Sequence, residues 1–288
     1  GIIGEFMPME KIAAGIKTCA EKLAADEDSL VAAARGMMTT DTTHKLSGRR
    51  VKIGSREFQI TGMCKGAAMI APNMGTMLGL VLTDAPIAAA DLQTLLSAVV
   101  DDTFNCISVD GHMSTNDTVL VLANGAAGGV KLAGGELSQF QTALHEVCAD
   151  LAKQIPADGE GATHLISIEV HGCKTVEAAR QIAKTVADSA LVKTAVAGAD
   201  PNWGRMVSAA GYAGVPFDPA GVDLKLNGFE LYRAGAPLKF DGDQVSASIK
   251  ANRDTSIVLT FREGNASVRF WTTDLTAEYV RLNADYHT

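Results

Sequence analysis

KGAAMIAPNMGTMLGLVLTD, residues 65 to 84, starts from a lysine in a run of small residues and passes Pro72 and Asn73. It then reaches Gly75-Thr76 and enters the apolar run Met77 to Leu82. The run is short and bounded by turn formers, which predicts a buried strand over Met77 to Leu82 after a Gly/Ala/Pro-rich loop over Thr61 to Met74. A hydroxyl residue directly after a glycine, where a loop becomes a strand, suits either an exposed nucleophile or an ordinary turn. A threonine hydroxyl is a weak nucleophile until a base takes its proton. No sequence neighbour is an obvious base. One economical base is the threonine's own α-amino group, which titrates near ~8 when free. Freeing it requires cleavage of Gly75-Thr76. Glycine there removes bulk at the scissile carbonyl and permits torsions that other residues avoid, so an N-to-O acyl shift by Thr76 is chemically open. On the local pattern alone both readings stand.

Upstream of this stretch, Ile12, Ile16, Cys19 and Leu23 recur with helical spacing, and Asp26 or Asp28 can cap a second helix to Ala34. Met37 to Thr42 places three threonines around one Asp, suiting a strand edge or a polar pocket wall. Arg50 to Ile53 and Glu57 to Ile60 flank Gly54-Ser55 as a hairpin. Downstream, Leu92 to Val100 marks a helical face, Cys106 to Val109 and Val119 to Ala123 read as strands, and Phe140 to Leu151 as a helix. Pro156 to Thr163 reads as a loop, Leu165 to Val170 as a half-buried strand, and Val176 to Val186 as a helix. Ala199 to Arg205 reads as a turn-rich loop holding a buried Trp203. A hairpin bending at Asn227-Gly228, strands over Ile257 to Arg262 and Ser267 to Trp271, and a short helix over Leu275 to Leu282 complete the pattern. Interleaved strands and helices predict an α/β (mixed α+β) body of layered sheets with packed helices.

Composition narrows the partners. The 288 residues are 47% hydrophobic, 20% charged and only 5% aromatic, so a sizeable core must be built mostly from aliphatic side chains. A net charge of -8 with no run of Lys or Arg argues against nucleic acid. No apolar stretch reaches membrane-spanning length, and no signal-peptide pattern is present. The five widely spaced cysteines contain no CxxC, which points to a reducing compartment rather than a disulfide framework or a zinc site. The chain opens on GIIG without an initiator Met, a start that reads like a domain interior.

Other candidate chemistry is weaker. NGAAGG from Asn124 lacks the phosphate-loop patterns, and the six histidines lack metal-ligand spacing, so no metal is expected. Asp110 and Asp117 flank Ser114, Thr115 and Asn116, a loop that either holds a substrate amine or satisfies its own backbone. Glu160 lies between two glycines, open to a ligand or simply an exposed turn. Lys65 either neutralises a substrate carboxylate or decorates a surface loop.

The residues also match known blocks. KGAAMIAPNMGTMLGLVLTDA resembles the self-cleavage segment of the ornithine acetyltransferase family, also called bifunctional glutamate N-acetyltransferase/amino-acid acetyltransferase. GIIGEFMPMEKIAAGI, MMTTDT, SVDGHMSTNDTVLVLANG, DGEGATHLISIEVHGC, GADPNWGRMVSAAGYAG and NADYHT resemble that family's blocks in its order, across essentially the whole chain.

The resemblance implies a self-processing N-terminal-nucleophile-type enzyme. Residues 1–75 would be the C-terminal part of an α chain whose N-terminal portion precedes residue 1. Residues 76–288 would be a β chain with a strand-rich section from about 222. Thr76 matches the nucleophile freed by cleavage at Gly75-Thr76, where the family more often has Ala in place of Gly75. Thr42, Lys65, Thr76, Glu160, Asn283 and Thr288 match substrate-binding positions. Gly1 matches one half of the oxyanion hole, whose threonine would precede it. The implied reaction carries acetyl from N2-acetylornithine to glutamate in arginine biosynthesis through an acetyl-Thr76 ester. By charge, Lys65 suits the α-carboxylate and Glu160 the δ-ammonium. No bound cofactor is implied, and acetyl-CoA is a candidate co-substrate. A cytoplasmic heterotetramer of two α and two β chains is expected, with no nucleic acid or membrane partner. An N-terminal-nucleophile amidohydrolase or aminopeptidase passing the acyl group to water is the alternative reading, and an inactive binding fragment another.

Overall fold

In the computed structural model, residues 4–71 and 77–285 are described. The chain opens with α1 (Met9–Ala20) and α2 (Glu27–Met37). The Asp26 side chain caps α2, accepting the Ser29 N–H at 2.7 Å. The apolar stripe of α1 meets no core: Ile16 is 65% exposed.

Next comes the predicted hairpin about Gly54-Ser55, in which β1 (Lys45–Ile53) pairs antiparallel with β2 (Arg56–Lys65). β2 is longer than expected. Thr61 to Lys65, read as loop, pair with β3 (Leu78–Thr83), because each residue of this small-residue run finds a ladder partner there. After α3 (Ala89–Asp102), Phe104–Cys106 form a 3₁₀ turn and leave only β4 (Ile107–Ser108) of the strand expected at Cys106 to Val109. β5 (Thr118–Ala123) then pairs parallel with β3. These strands make a four-stranded sheet of order β1-β2-β3-β5.

The long helix α4 (Gly135–Ala157) packs on one face of that sheet. Its last turn runs through Pro156, so the loop expected from Pro156 starts at Asp158. The cover is one-sided, and β3 alternates instead of being buried throughout. Val81 faces the helices at 0% exposure, while Leu78 and Leu82 are 39% and 37% exposed.

The second sheet collects strands distant in sequence. β6 (Leu165–Cys173) is followed by α5 (Val176–Asp188), α6 (Ala190–Ala197) and α7 (Trp203–Gly211). The expected loop at Ala199 to Arg205 gives way to α7, because the Asn202 side chain accepts the Arg205 N–H and caps a helix beginning at Trp203. Trp203 is half-buried and stacks on Tyr232 at 5.3 Å. β7 (Asp223–Leu226) and β8 (Phe229–Arg233) form the predicted hairpin, with φ of +48° at Asn227 and +84° at Gly228. Then come β9 (Ala236–Pro237), α8 (Gly242–Ala251), β10 (Asp254–Thr260), β11 (Ala266–Thr273) and α9 (Ala277–Asp285). Sheet order is β4-β11-β6-β10-β7-β8-β9, so β4 and β6 are built in among the C-terminal strands.

Two cores result. One lies between the seven-stranded sheet and α5 to α8, the other between the four-stranded sheet, α3 and α4. The architecture is the expected mixed α/β layering.

Candidate active site

Of the predicted site residues, Thr42, Lys65, Glu160 and Asn283 fall within the described residues. Gly1, Gly75, Thr76 and Thr288 lie outside them.

Strand pairing sets the centre of the site. Lys65 ends β2 directly opposite Leu78, the first residue of β3, and Leu78 in turn faces Thr118 of β5. Lys65 is only 6% exposed, and its ammonium has no hydrogen-bond acceptor among the described residues. Burial pushes its pKa down, Asp41 and Asp117 oppose that fall, and nearby Lys45 adds to it; the net displacement is downward. The surface-decoration reading of Lys65 is therefore excluded.

Asp117, just before β5, receives the Met77 N–H on Oδ1 at 2.6 Å. Its Oδ2 is buried without a partner among the described residues. Burial raises its pKa to about 6, against the pull of the Met77 N–H and Lys65. The carboxyl lines a cavity of about 240 Å³ with Ile70, Met77, Leu96, Val100 and Val119. Asp110, at the other end of the same loop, is spoken for: it accepts from the N–H groups of Met69, Ile70 and His112 and from the Tyr279 hydroxyl. Of the two readings of that loop, backbone satisfaction describes Asp110 in full and Asp117 by half, since one Asp117 oxygen takes the Met77 N–H and the other is unpaired among the described residues.

Glu160 and Asn283 meet beside a second cleft. Asn283 lies within α9, past the expected helix end at Leu282, and its Nδ2 donates to Glu160 Oε2 at 2.9 Å. Glu160 borders a cleft of about 250 Å³ with Thr40, Arg281, Leu282 and Asp285. Its N–H bonds the Ala67 carbonyl at 2.9 Å, tying it to the chain just after Lys65. Gly161 makes the docking of α9 possible. It has φ +66°, and a Cβ there would lie 2.5 Å from Tyr279 N. The Thr276 hydroxyl fastens the same point by donating to Gly161 O at 2.7 Å.

Beneath these loops lies a buried ion group. The Lys45 ammonium, on a fully buried side chain, donates to Asp41 Oδ1 at 2.7 Å and Asp158 Oδ2 at 2.6 Å. Asp41 also accepts the Gly66 N–H at 2.7 Å and the Thr39 N–H at 3.2 Å. Burial pushes the Asp41 pKa up, but Gly66, Lys45 and Thr39 outweigh it and hold the carboxyl below its ordinary range. Asp158 accepts the N–H groups of Thr42 and Thr43 and the Thr42 hydroxyl. Thr42 thus adjoins Asp41, Glu160 is two residues from Asp158, and Lys65 precedes Gly66, whose N–H Asp41 accepts.

No cluster of potential metal ligands occurs among the described residues. His164 is satisfied by Asp274 at 2.9 Å.

Residues 1–288 match the ArgJ family throughout. The chain belongs to the ArgJ family. It is 45% identical to the arginine biosynthesis bifunctional protein ArgJ of Rhodopirellula baltica, over all of this chain and 71% of that protein. It is 40% identical to the mitochondrial protein of that name from Heterostelium pallidum, over all of this chain and 70% of that one. The crystal structure of ArgJ from Bacillus halodurans superposes with a TM-score of 0.69 at 41% identity, covering 70% of this chain and 96% of that one. The N-terminal-nucleophile-type layering agrees with that match.

Sequence reasoning did not anticipate the roles of Asp41, Lys45 and Asp158 in this ArgJ-family chain. Asp41 and Asp158 stood inside quoted motifs, TTDT and DGEG. Nothing marked Lys45, because it meets Asp158 across 113 residues.

Proposed function

We propose that this ArgJ-family acetyltransferase of arginine biosynthesis carries acetyl from N2-acetylornithine to glutamate through an ester on Thr76. The observation that carries the reading is strand register. Lys65 is paired opposite Leu78, and Asp117 bonds the N–H of Met77, so a cation and a carboxyl group, each with a polar atom unpaired among the described residues, flank the residues that follow Thr76. Glu160, bonded by Asn283, is tied through its N–H to Ala67, two residues after Lys65. A cation at Lys65 and an anion at Glu160 suit a substrate with an α-carboxylate at one end and a side-chain ammonium at the other.

In this scheme the Gly75-Thr76 bond is cut first, dividing 1–75 from 76–288. The freed α-amine takes the Thr76 hydroxyl proton as the oxygen attacks the acetyl carbonyl. The Gly1 N–H, together with a threonine preceding it, stabilises the oxyanion. The C–N bond breaks, ornithine leaves with that proton, and the ester remains. The glutamate amine then attacks the ester carbonyl, Thr76 departs and recovers a proton, and N-acetylglutamate is released. Lys65 holds the α-carboxylate shared by donor and acceptor, and Glu160 faces the δ-ammonium. Thr288 completes the substrate-binding set, acetyl-CoA serves as an alternative donor, and the working form is a cytoplasmic heterotetramer of two α and two β chains.

Thr76→Ala in the intact protein is expected to leave one uncut polypeptide by intact mass and no acetyl transfer. Full activity in that variant would overturn the scheme. Acetate in place of acetylglutamate when glutamate is supplied would make the protein an amidohydrolase instead.

A further inference from the structure

We infer that Asp158, held by Lys45, sets the hydrogen-bonding polarity of Thr42, making it an acceptor that reads an N–H on the acyl donor. The inference rests on the acetyl-transfer reading above.

A threonine hydroxyl has one proton and two lone pairs. In Thr42 that proton is committed, since the hydroxyl donates to Asp158 Oδ1. The direction of this bond is fixed from behind. Asp158 also takes the Lys45 ammonium at 2.6 Å, the Thr42 N–H at 3.0 Å and the Thr43 N–H at 3.3 Å, so it acts as acceptor throughout. Lys45 cannot turn away, because its remaining contacts are Asp41 Oδ1 at 2.7 Å and Thr43 O at 3.3 Å and its side chain is fully buried. On Thr42, an exposed residue, the hydroxyl oxygen is left with lone pairs alone to offer a ligand. A carboxylate would be repelled there. A donor N–H fits, as the amide of an N-acyl amino acid provides. Lys65, by contrast, offers only donors, so the two residues suit the two polar groups that an α-amido acid carries on its α-carbon.

Asp158 and Lys45 are on this account positioning residues. They also fix where the reading groups stand: Asp41 ties Thr42 to Gly66, the residue after Lys65, and Asp158 is two residues from Glu160.

Replacing Asp158 with Asn inverts the polarity with little change of shape. The amide oxygen must stay on the Lys45 ammonium, so the NH₂ faces Thr42 and the hydroxyl proton turns outward. The test compares kcat/KM for an N-acetyl amino acid with that for its α-acetoxy analogue, in which an ester oxygen replaces the N–H, in the intact protein. Asp158→Asn is expected to lower the amide-to-ester ratio about tenfold, the scale of one neutral hydrogen bond. Thr42→Val, which keeps the shape and removes the acceptor, should lower the ratio similarly, and Thr42→Ser should keep it. A purely structural role would depress both donors alike. An unchanged ratio in Thr42→Val and in any folded Asp158→Asn protein would overturn the assignment while leaving acetyl transfer intact. No transfer from either donor by the unsubstituted protein would overturn the catalytic reading, and this assignment with it.

Discussion

The Met77 N–H donates to Asp117 Oδ1 at 2.6 Å, while the other oxygen of the same carboxyl is buried and unpaired among the described residues. Burial lifts its pKa to about 6 from an ordinary value of 3.8. In that window the folded chain holds a proton that the unfolded chain has released, so stability falls as pH rises. The contribution is fully present below about 4 and lost as pH passes through about 6, on the order of 2 kcal/mol. Asp117→Asn keeps an acceptor for Met77 and removes the titration. Urea denaturation at a series of pH values should show the variant gaining on the wild type between pH 4 and 7. Parallel curves would refute the assignment.

Lys193 gives the opposite slope. Its ammonium is buried on Val109 O at 2.7 Å and Thr272 Oγ1 at 3.0 Å, with no carboxylate in contact among the described residues. Burial lowers its pKa to about 8, partly offset by Asp188, Asp274 and Asp110. Between about 8 and 10.5 the unfolded chain carries the extra proton, so stability rises with pH, by no more than about 3 kcal/mol. Lys193→Met should flatten that rise in thermal unfolding measured from pH 7.5 to 10.5. A rise of wild-type size in Lys193→Met would assign it to another group.

The Asp41–Lys45–Asp158 group should fail when its cation is removed. Lys45→Met leaves two buried carboxylates without their counter-charge, and breaking such a pair from one side costs about 3–5 kcal/mol. Adding Asp158→Asn removes one of those charges and should restore part of the loss. Chemical denaturation of the single and double variants measures this. A cost below about 1 kcal/mol for Lys45→Met would mean that water replaces the lysine freely.

Gly161→Ala should loosen α9 selectively. The added Cβ meets the Tyr279 backbone at 2.5 Å, and the φ of +66° is itself disfavoured for alanine by about 1 kcal/mol. Faster hydrogen exchange over Ala277–Asp285, with the seven-stranded sheet unaffected, is the expected result. Unchanged protection of α9 would show that the contact is absorbed elsewhere.

Local chemistry made much of this protein legible from its residues. The α2 cap, the Gly54-Ser55 turn and the Asn227-Gly228 turn are decided within four residues of chain; both turns stand where the residues put them, and of the two cap candidates Asp26 and Asp28 the structure takes Asp26. The block pattern around Thr42, Lys65, Glu160 and Asn283 likewise carried the family. Other properties depend on which surfaces meet. Met77 to Leu82 is apolar throughout, yet only one face is covered, because α4 packs on one side of the sheet. Thr61 to Lys65 became strand because β3 offered a ladder. Asp117 and Asp110 look alike in sequence, and burial with or without donors separates them. Lys45 carries no signal in the chain, since its meaning lies in a carboxylate 113 positions away. Residue identity thus determined which chemistry was available. Tertiary packing decided which groups lost water and which partners replaced it, and that sets their charge and their hydrogen-bonding direction.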